Sequence, residues 1–275
     1  MSNLDAKTVQ GFGDEWSRFD QSALPESELR SVFAQYFANF PWKTLPSNAV
    51  GFDLGCGSGR WAKLAAERVG SLHCIDASNE ALQVAKRKLS SNKNCKFHHA
   101  SVDNIPLPDE SMDFGYSLGV LHHVPDTAAG IRSCVAKLKR GAPFLVYLYY
   151  RFDNRPLWFR SLWRSTEALR YMIARMPPVL KHAVTDFIAL TVYWPLARFA
   201  LVPEWLGANV ESLPLAAYRR LSVYTMRTDS RDRFGTRLEQ RFTRAEIQAM
   251  MQLAGLENIV FNEATPYWCA VGTKK

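Results

Sequence analysis

The stretch Asp53-Leu54-Gly55-Cys56-Gly57-Ser58-Gly59-Arg60 limits what this chain can become more than any other segment. An unbroken apolar run from Ala49 leads into it and reads as a buried strand, and a helical period follows over residues 58–68. Three glycines at alternate positions remove the Cβ atoms that would hold a ligand off the backbone, and they permit positive φ in a tight turn. The helix start beyond them presents free N–H groups suited to a carboxylate. The pattern then repeats. Strands at 71–75, 96–99, 112–117 and 144–149 alternate with helices at 81–89 and 127–138, which implies a parallel sheet flanked by helices.

Near Arg151 the alternation stops. From residue 154 to about 206 the apolar positions Trp158, Leu162, Leu169, Ile173 and Met176 recur at helical spacing, and Pro177-Pro178 breaks the run. A Thr243/Glu246 capping box and Gly255 bracket a further helix, and strands at 256–261 and 268–272 close the chain. The expected fold is therefore α/β: a Rossmann-like, doubly wound, mostly parallel seven-stranded sheet with a helical cap inserted after the fifth strand. Its expected parts are an aromatic arm or lid (1–44, with one helix at 25–40), a cofactor-binding core (45–150), the cap (151–235) and a C-terminal completion of the sheet (236–275).

Asp76 ends the second strand, where a carboxylate can accept from both hydroxyls of a ribose. Two cofactor classes use such a layout. A dinucleotide site requires a third small residue where Arg60 stands, which weighs against a nicotinamide-dependent oxidoreductase. The D-x-G-x-G-x-G run instead resembles motif I of class I S-adenosylmethionine-dependent methyltransferases, of the small-molecule, type 11-like kind. Three further blocks match in order: Ser101 to Pro108 with Ser111 to Phe114, Gly119 to Asp126, and Leu138 to Phe144.

The resemblance implies S-adenosyl-L-methionine as cofactor and assigns roles. Gly55, Gly57 and Gly59 flank its methionine part, with Asp53 supporting the loop. Asp76 holds the ribose and Asp103 the adenine amino group, with Ala77 and Val102 against the ring. Cys56, Asn104 and Leu118 complete the cofactor set. His122, His123 and Tyr149 are the catalytic candidates, although a packing role for the two histidines stays open. Trp16, in an aromatic-acidic segment that either closes as a lid or anchors the arm, is placed on the substrate side with Tyr150, Arg151, Arg160 and Arg164. Tyr147 is expected between sheet and helix. A non-catalytic cofactor-binding partner subunit remains the non-enzymatic alternative.

Charge bears on the substrate. The chain carries a net +8, and the segment 151–227 holds 11 of the 34 basic but only 5 of the 26 acidic residues. That excess fits a solvated face, an anionic or amphipathic small molecule, or weak contact with a membrane surface. The basic residues are dispersed, so no nucleic-acid partner is expected. Five scattered cysteines form no C-x-x-C pair, so no metal site is expected and the setting reads as cytoplasmic. No membrane span is expected either, because the longest charge-free apolar stretch of the second half, 187–197, contains Pro195, stops at Arg198 and falls short of the length a span needs, about 20 residues.

Overall fold

The computed structural model describes residues 2–211 and 213–275. Seven strands form one sheet: β1 (Val50–Leu54), β2 (Ser71–Asp76), β3 (Cys95–His99), β4 (Phe114–Leu118), β5 (Pro143–Tyr147), β6 (Leu256–Phe261) and β7 (Cys269–Lys274). Their order is β3-β2-β1-β4-β5-β7-β6, with only β7 antiparallel to its neighbours. The order reverses between β1 and β4, and in such sheets the crevice at the carboxyl ends of those strands takes the ligand. β5 ends at Tyr147, two residues earlier than the sequence indicates. Beyond it the chain leaves β7 and pairs with Phe242 instead.

Alternation along the strands sets the two cores. Phe52, Phe144 and Val146 share one sheet face with Ile131 and Val135 of α5 (Thr127–Lys137) and Ile247 and Met251 of α11 (Arg244–Leu253). On the opposite face Phe114 and Tyr116 meet Phe37, Phe40 and Trp42. Complete burial of one such side chain is worth about 1.5–3 kcal/mol. Cross-strand pairing makes room for the rings: Gly51 lies opposite Phe114 and Gly115 opposite Phe52. A Cβ at either glycine would come within 2.3 Å of the facing ring.

The N-terminal segment holds two helices, α1 (Ala6–Arg18) and α2 (Glu26–Tyr36). The sequence reading has only the second. Asp5 caps α1 by accepting the Thr8 N–H, and α1 packs on α4 (Asn79–Lys88), whose own cap is Ser78. The capping box predicted for α11 is formed, with Gly255 at φ +92° just past its end.

The chain divides into two compact units. One comprises the N-terminal residues through Gln21, Leu29–Arg151 and Leu238–Lys275. The other comprises Ser22–Glu28 and Phe152–Arg237, so its limits differ slightly from the expected 151–235. This second unit is helical. α6 (Leu157–Ile173) and a helix beginning at Pro178 pack on α10 (Val223–Gly235) around Ile173, Tyr193, Ala197, Met226 and Phe234. Arg227 of α10 grips Asp186 through two nitrogens at 3.0 and 2.9 Å.

The charge-free stretch 187–197 lies inside a longer helix than its length indicates, and Pro195 does not interrupt that helix. The proline ring lacks an N–H and would crowd the Thr191 carbonyl four residues back. Thr191 lies within a π turn over Ala189–Tyr193, whose wider spacing accommodates that ring. The segments α7 (Pro178–Ile188), α8 (Trp194–Phe199) and α9 (Leu201–Trp205) therefore run on as one helix, Pro178–Trp205. It has 28 residues and is long and apolar enough, by length and composition, to cross a membrane.

Candidate active site

The carboxyl ends of β1, β2 and β4 open on a cleft of about 780 Å³, counting space continuous with solvent at its mouth. Leu54 and Gly55 form its floor, with Asp76, Ala77 and Ser78 beyond β2. Val102, Leu118, Val120 and His123 add further walls. α1 supplies another through Thr8, Val9, Phe12 and Trp16.

The glycine loop is held in place by the residue expected to bind a ribose. One carboxylate oxygen of Asp76 accepts the Gly57 N–H at 2.8 Å, and the other accepts the Ser78 N–H at 2.8 Å. Burial raises the Asp76 pKa, and these backbone donors oppose the shift. Gly55 has φ +76°, and a Cβ there would sit 2.3 Å from Val120. Gly57, at φ +53°, lies against the Trp16 indole, 3.0 Å from where its Cβ would be. Only glycine meets both demands at these positions. Asp53 stands behind the loop and is almost wholly buried; burial pushes its carboxyl well above the usual range, and Asp76 adds to the effect.

His122 and His123 occupy a short 3-10 turn after β4. The His123 Nδ1–H donates to the Leu238 carbonyl at 2.6 Å, which leaves Nε2 as the ring's acceptor nitrogen. Phe12 meets the same ring edge-on, with centroids 4.9 Å apart. His122 is fully buried behind it and stacks on Tyr149 at 3.9 Å. Burial drives its imidazolium pKa far below normal, with His123 and Arg241 acting in the same direction, so His122 is neutral. Under this pair lies Arg241, 2.8 Å from Glu239 and 5.0 Å from the Tyr149 ring. Burial alone would depress the Arg241 pKa, but Glu239 and Tyr149 more than offset it.

The expected site residues thus separate. Gly55, Asp76, Ala77, Val102, Leu118, His123 and Trp16 line the cleft. Asp53, Cys56, Gly57 and Gly59 shape the loop without lining it. Asp103 stands outside the wall, accepting the Asn3 N–H at 3.0 Å and the Ser2 hydroxyl at 3.1 Å, and Asn104 is exposed beside it. His122 and Tyr149 stack behind His123 and do not line the cleft. Tyr150 and Arg151, expected on the substrate side, are turned elsewhere because their backbone pairs with the 241–242 segment. Tyr150 packs on Tyr267 and Trp268, and Arg151 binds the Arg241 carbonyl and Glu246. Tyr147 lies against Tyr36 of α2, between sheet and helix. Arg160 and Arg164 belong to the helical unit, on α6.

Residues 52–146 match the methyltransferase domain family model. A ubiquinone biosynthesis O-methyltransferase of Paraburkholderia phymatum is 25% identical over 218 residues, covering 78% of this chain and 88% of that one. One of Xanthomonas campestris is 29% identical over 218 residues, covering 78% and 86%. The chain is an S-adenosylmethionine-dependent methyltransferase. A Thermotoga maritima S-adenosylmethionine-dependent methyltransferase, described as a possible histamine N-methyltransferase, shares its fold. That structure has a TM-score of 0.50 at 16% identity, with 96% of this chain and 100% of that one covered. The nicotinamide alternative is not favoured.

The cleft of this methyltransferase fits its cofactor. The Gly55 backbone is bare, an acidic pair of oxygens stands at Asp76, and Ala77, Val102 and Leu118 offer apolar walls. When bound, S-adenosylmethionine supplies an electrophilic methyl group. Among the described residues no cluster of His, Cys, Asp or Glu could hold a metal ion. Sequence reading missed Asn3, Thr8 and Val9, for which the Asp5 cap was the available signal, whereas Phe12 belongs to the aromatic-acidic segment already singled out. It also missed Leu238, Glu239 and Arg241, for which no local signal exists.

Proposed function

We propose that this methyltransferase methylates a hydroxyl oxygen of a small amphipathic ring compound, with His123 taking the proton. The observation that carries the reading is the 2.6 Å bond from His123 Nδ1–H to the Leu238 carbonyl. It orients a ring that lines the cleft and leaves Nε2 to accept. The hydroxyl proton passes to Nε2 as the oxygen attacks in line, and the chain's remaining work is positioning. Phe12 and Trp16 give the cleft an aromatic lining suited to an aromatic substrate. The relatives' naming as O-methyltransferases of ubiquinone biosynthesis favours oxygen as the acceptor and a quinone-type ring as the class. Five free cysteines support a cytoplasmic setting.

The test is methyl transfer to hydroxylated aromatic acceptors by wild type and His123→Gln. Loss of a general base should lower kcat by about 10²–10⁴ while leaving S-adenosylmethionine affinity nearly unchanged. Full turnover in His123→Gln would overturn the assignment and point to an acceptor, such as an amine, that arrives with its lone pair free.

A further inference from the structure

Helix Pro178–Trp205 presents a long face with no charge on it. Its exposed residues are Val179, Leu180, Ala183, Phe187, Leu190, Thr191, Val192, Trp194, Pro195, Leu196, Phe199, Val202 and Trp205, together with Pro178. Thr191 turns its hydroxyl back to the Phe187 carbonyl at 2.7 Å, so even the one polar side chain is satisfied internally. Phe187 and Phe199 are about two-thirds exposed and Trp205 is 84% exposed. An apolar surface of this extent marks an interaction site rather than ordinary solvated surface.

The opposite side of the helix cannot leave its unit. Tyr193 and Ala197 are buried in the core with Met226 and Phe234, Asp186 is clasped by Arg227, and Arg198 donates to the Leu221 carbonyl at 3.0 Å. A helix tied down along one side and bare along the other suits lying in an interface, not spanning one. Charge selects the occupant. Phe152–Arg237 holds 13 of the 34 basic but 7 of the 26 acidic residues, with Arg164, Arg175 and Arg237 exposed. That excess opposes pairing with a second copy and favours an anionic surface. Exposed Trp158, Trp194 and Trp205 suit the headgroup level.

We propose that this face docks the methyltransferase on anionic lipid membranes, with the Pro178–Trp205 helix lying in the plane of the headgroups. The proposal does not depend on the acceptor atom or on His123. The full chain is sedimented with phosphatidylcholine vesicles, with and without phosphatidylglycerol, at low salt. Partition should be at least about tenfold stronger with the anionic lipid. It should fall by at least about tenfold in Leu190→Asp/Phe199→Asp, whose fold is checked by circular dichroism and S-adenosylmethionine affinity. Should that variant misfold, Trp205→Ser at the helix end takes its place. A tryptophan blue shift should accompany binding. Wild type left in the supernatant, or equal binding by the variant, overturns the proposal. So does a wild-type dimer that the variant dissociates while vesicles stay bare, which would make the face an interface between copies.

Discussion

The side-chain amide of Asn3 exchanges both of its hydrogen bonds with the backbone of Asp126. It accepts the Asp126 N–H at 2.7 Å and donates to the Asp126 carbonyl at 2.8 Å. The Asn3 N–H meanwhile reaches Asp103. The segment ahead of α1 is thereby fastened along one side of the cleft, on the carboxylate that the resemblance assigns to the adenine. Asn3→Ala removes two bonds worth about 0.5–1.5 kcal/mol each at most. S-adenosylhomocysteine should then dissociate about three- to tenfold faster in stopped-flow displacement. An unchanged rate would mean that the segment does not gate the cleft.

Asp76 holds the glycine loop and is the expected ribose acceptor, and its substitution tests both roles. Asp76→Ala deletes the expected ribose acceptor, so S-adenosylmethionine affinity should fall at least about tenfold by calorimetry. It also strands the Gly57 and Ser78 N–H groups, so the thermal midpoint without ligand should drop by several degrees. Lost affinity with an unaltered midpoint would show that the loop does not lean on this carboxylate.

Stability should depend on pH through His73. Its Nδ1 lies 2.9 Å from His98 Nε2 in a stacked pair, and burial, with His98 and Lys96 nearby, lowers its pKa to about 4. In the unfolded chain the value is about 6.5. Between these pH values the unfolded state takes a proton that the native state refuses. The contribution is therefore complete above about pH 6.5 and is lost as pH falls towards 4. Thermal midpoints measured from pH 8 to 4.5 should decline less steeply in His73→Gln. Identical slopes would remove His73 as the cause.

The sheet and the glycine loop were legible in the sequence because their determinants are local. A strand, three glycines and Asp76 each declare a backbone requirement within a few residues. α1 was hidden by its polar residues, since Val9, Phe12 and Trp16 form a sparse stripe that has meaning only once the other walls of the cleft face it. The full length of the apolar helix was not legible because Arg198, which ends the charge-free stretch, turns back to the Leu221 carbonyl, and the π turn before Pro195 is not encoded by any single residue. The tautomer of His123 was out of reach altogether. It is set by the Leu238 carbonyl, which lies 115 positions away and carries no side-chain identity to read. Tyr150 and Arg151 were misplaced for a related reason: their orientation follows from backbone pairing with a segment on the far side of the insertion.

That pairing reaches beyond the two side chains. The Phe242 N–H donates to the Tyr149 carbonyl and the Arg151 N–H to the Phe242 carbonyl, each at 2.9 Å. The chain therefore departs for its helical segment and returns from it at adjoining points on one short ladder. Loop-closure entropy grows only slowly with length, so the sheet is nearly indifferent to how many residues lie between those points. Lineages could lengthen, shorten or replace Phe152–Arg237 as a cassette while the methyl-donor cleft kept its register. A protein built this way can change where it works without relearning its chemistry.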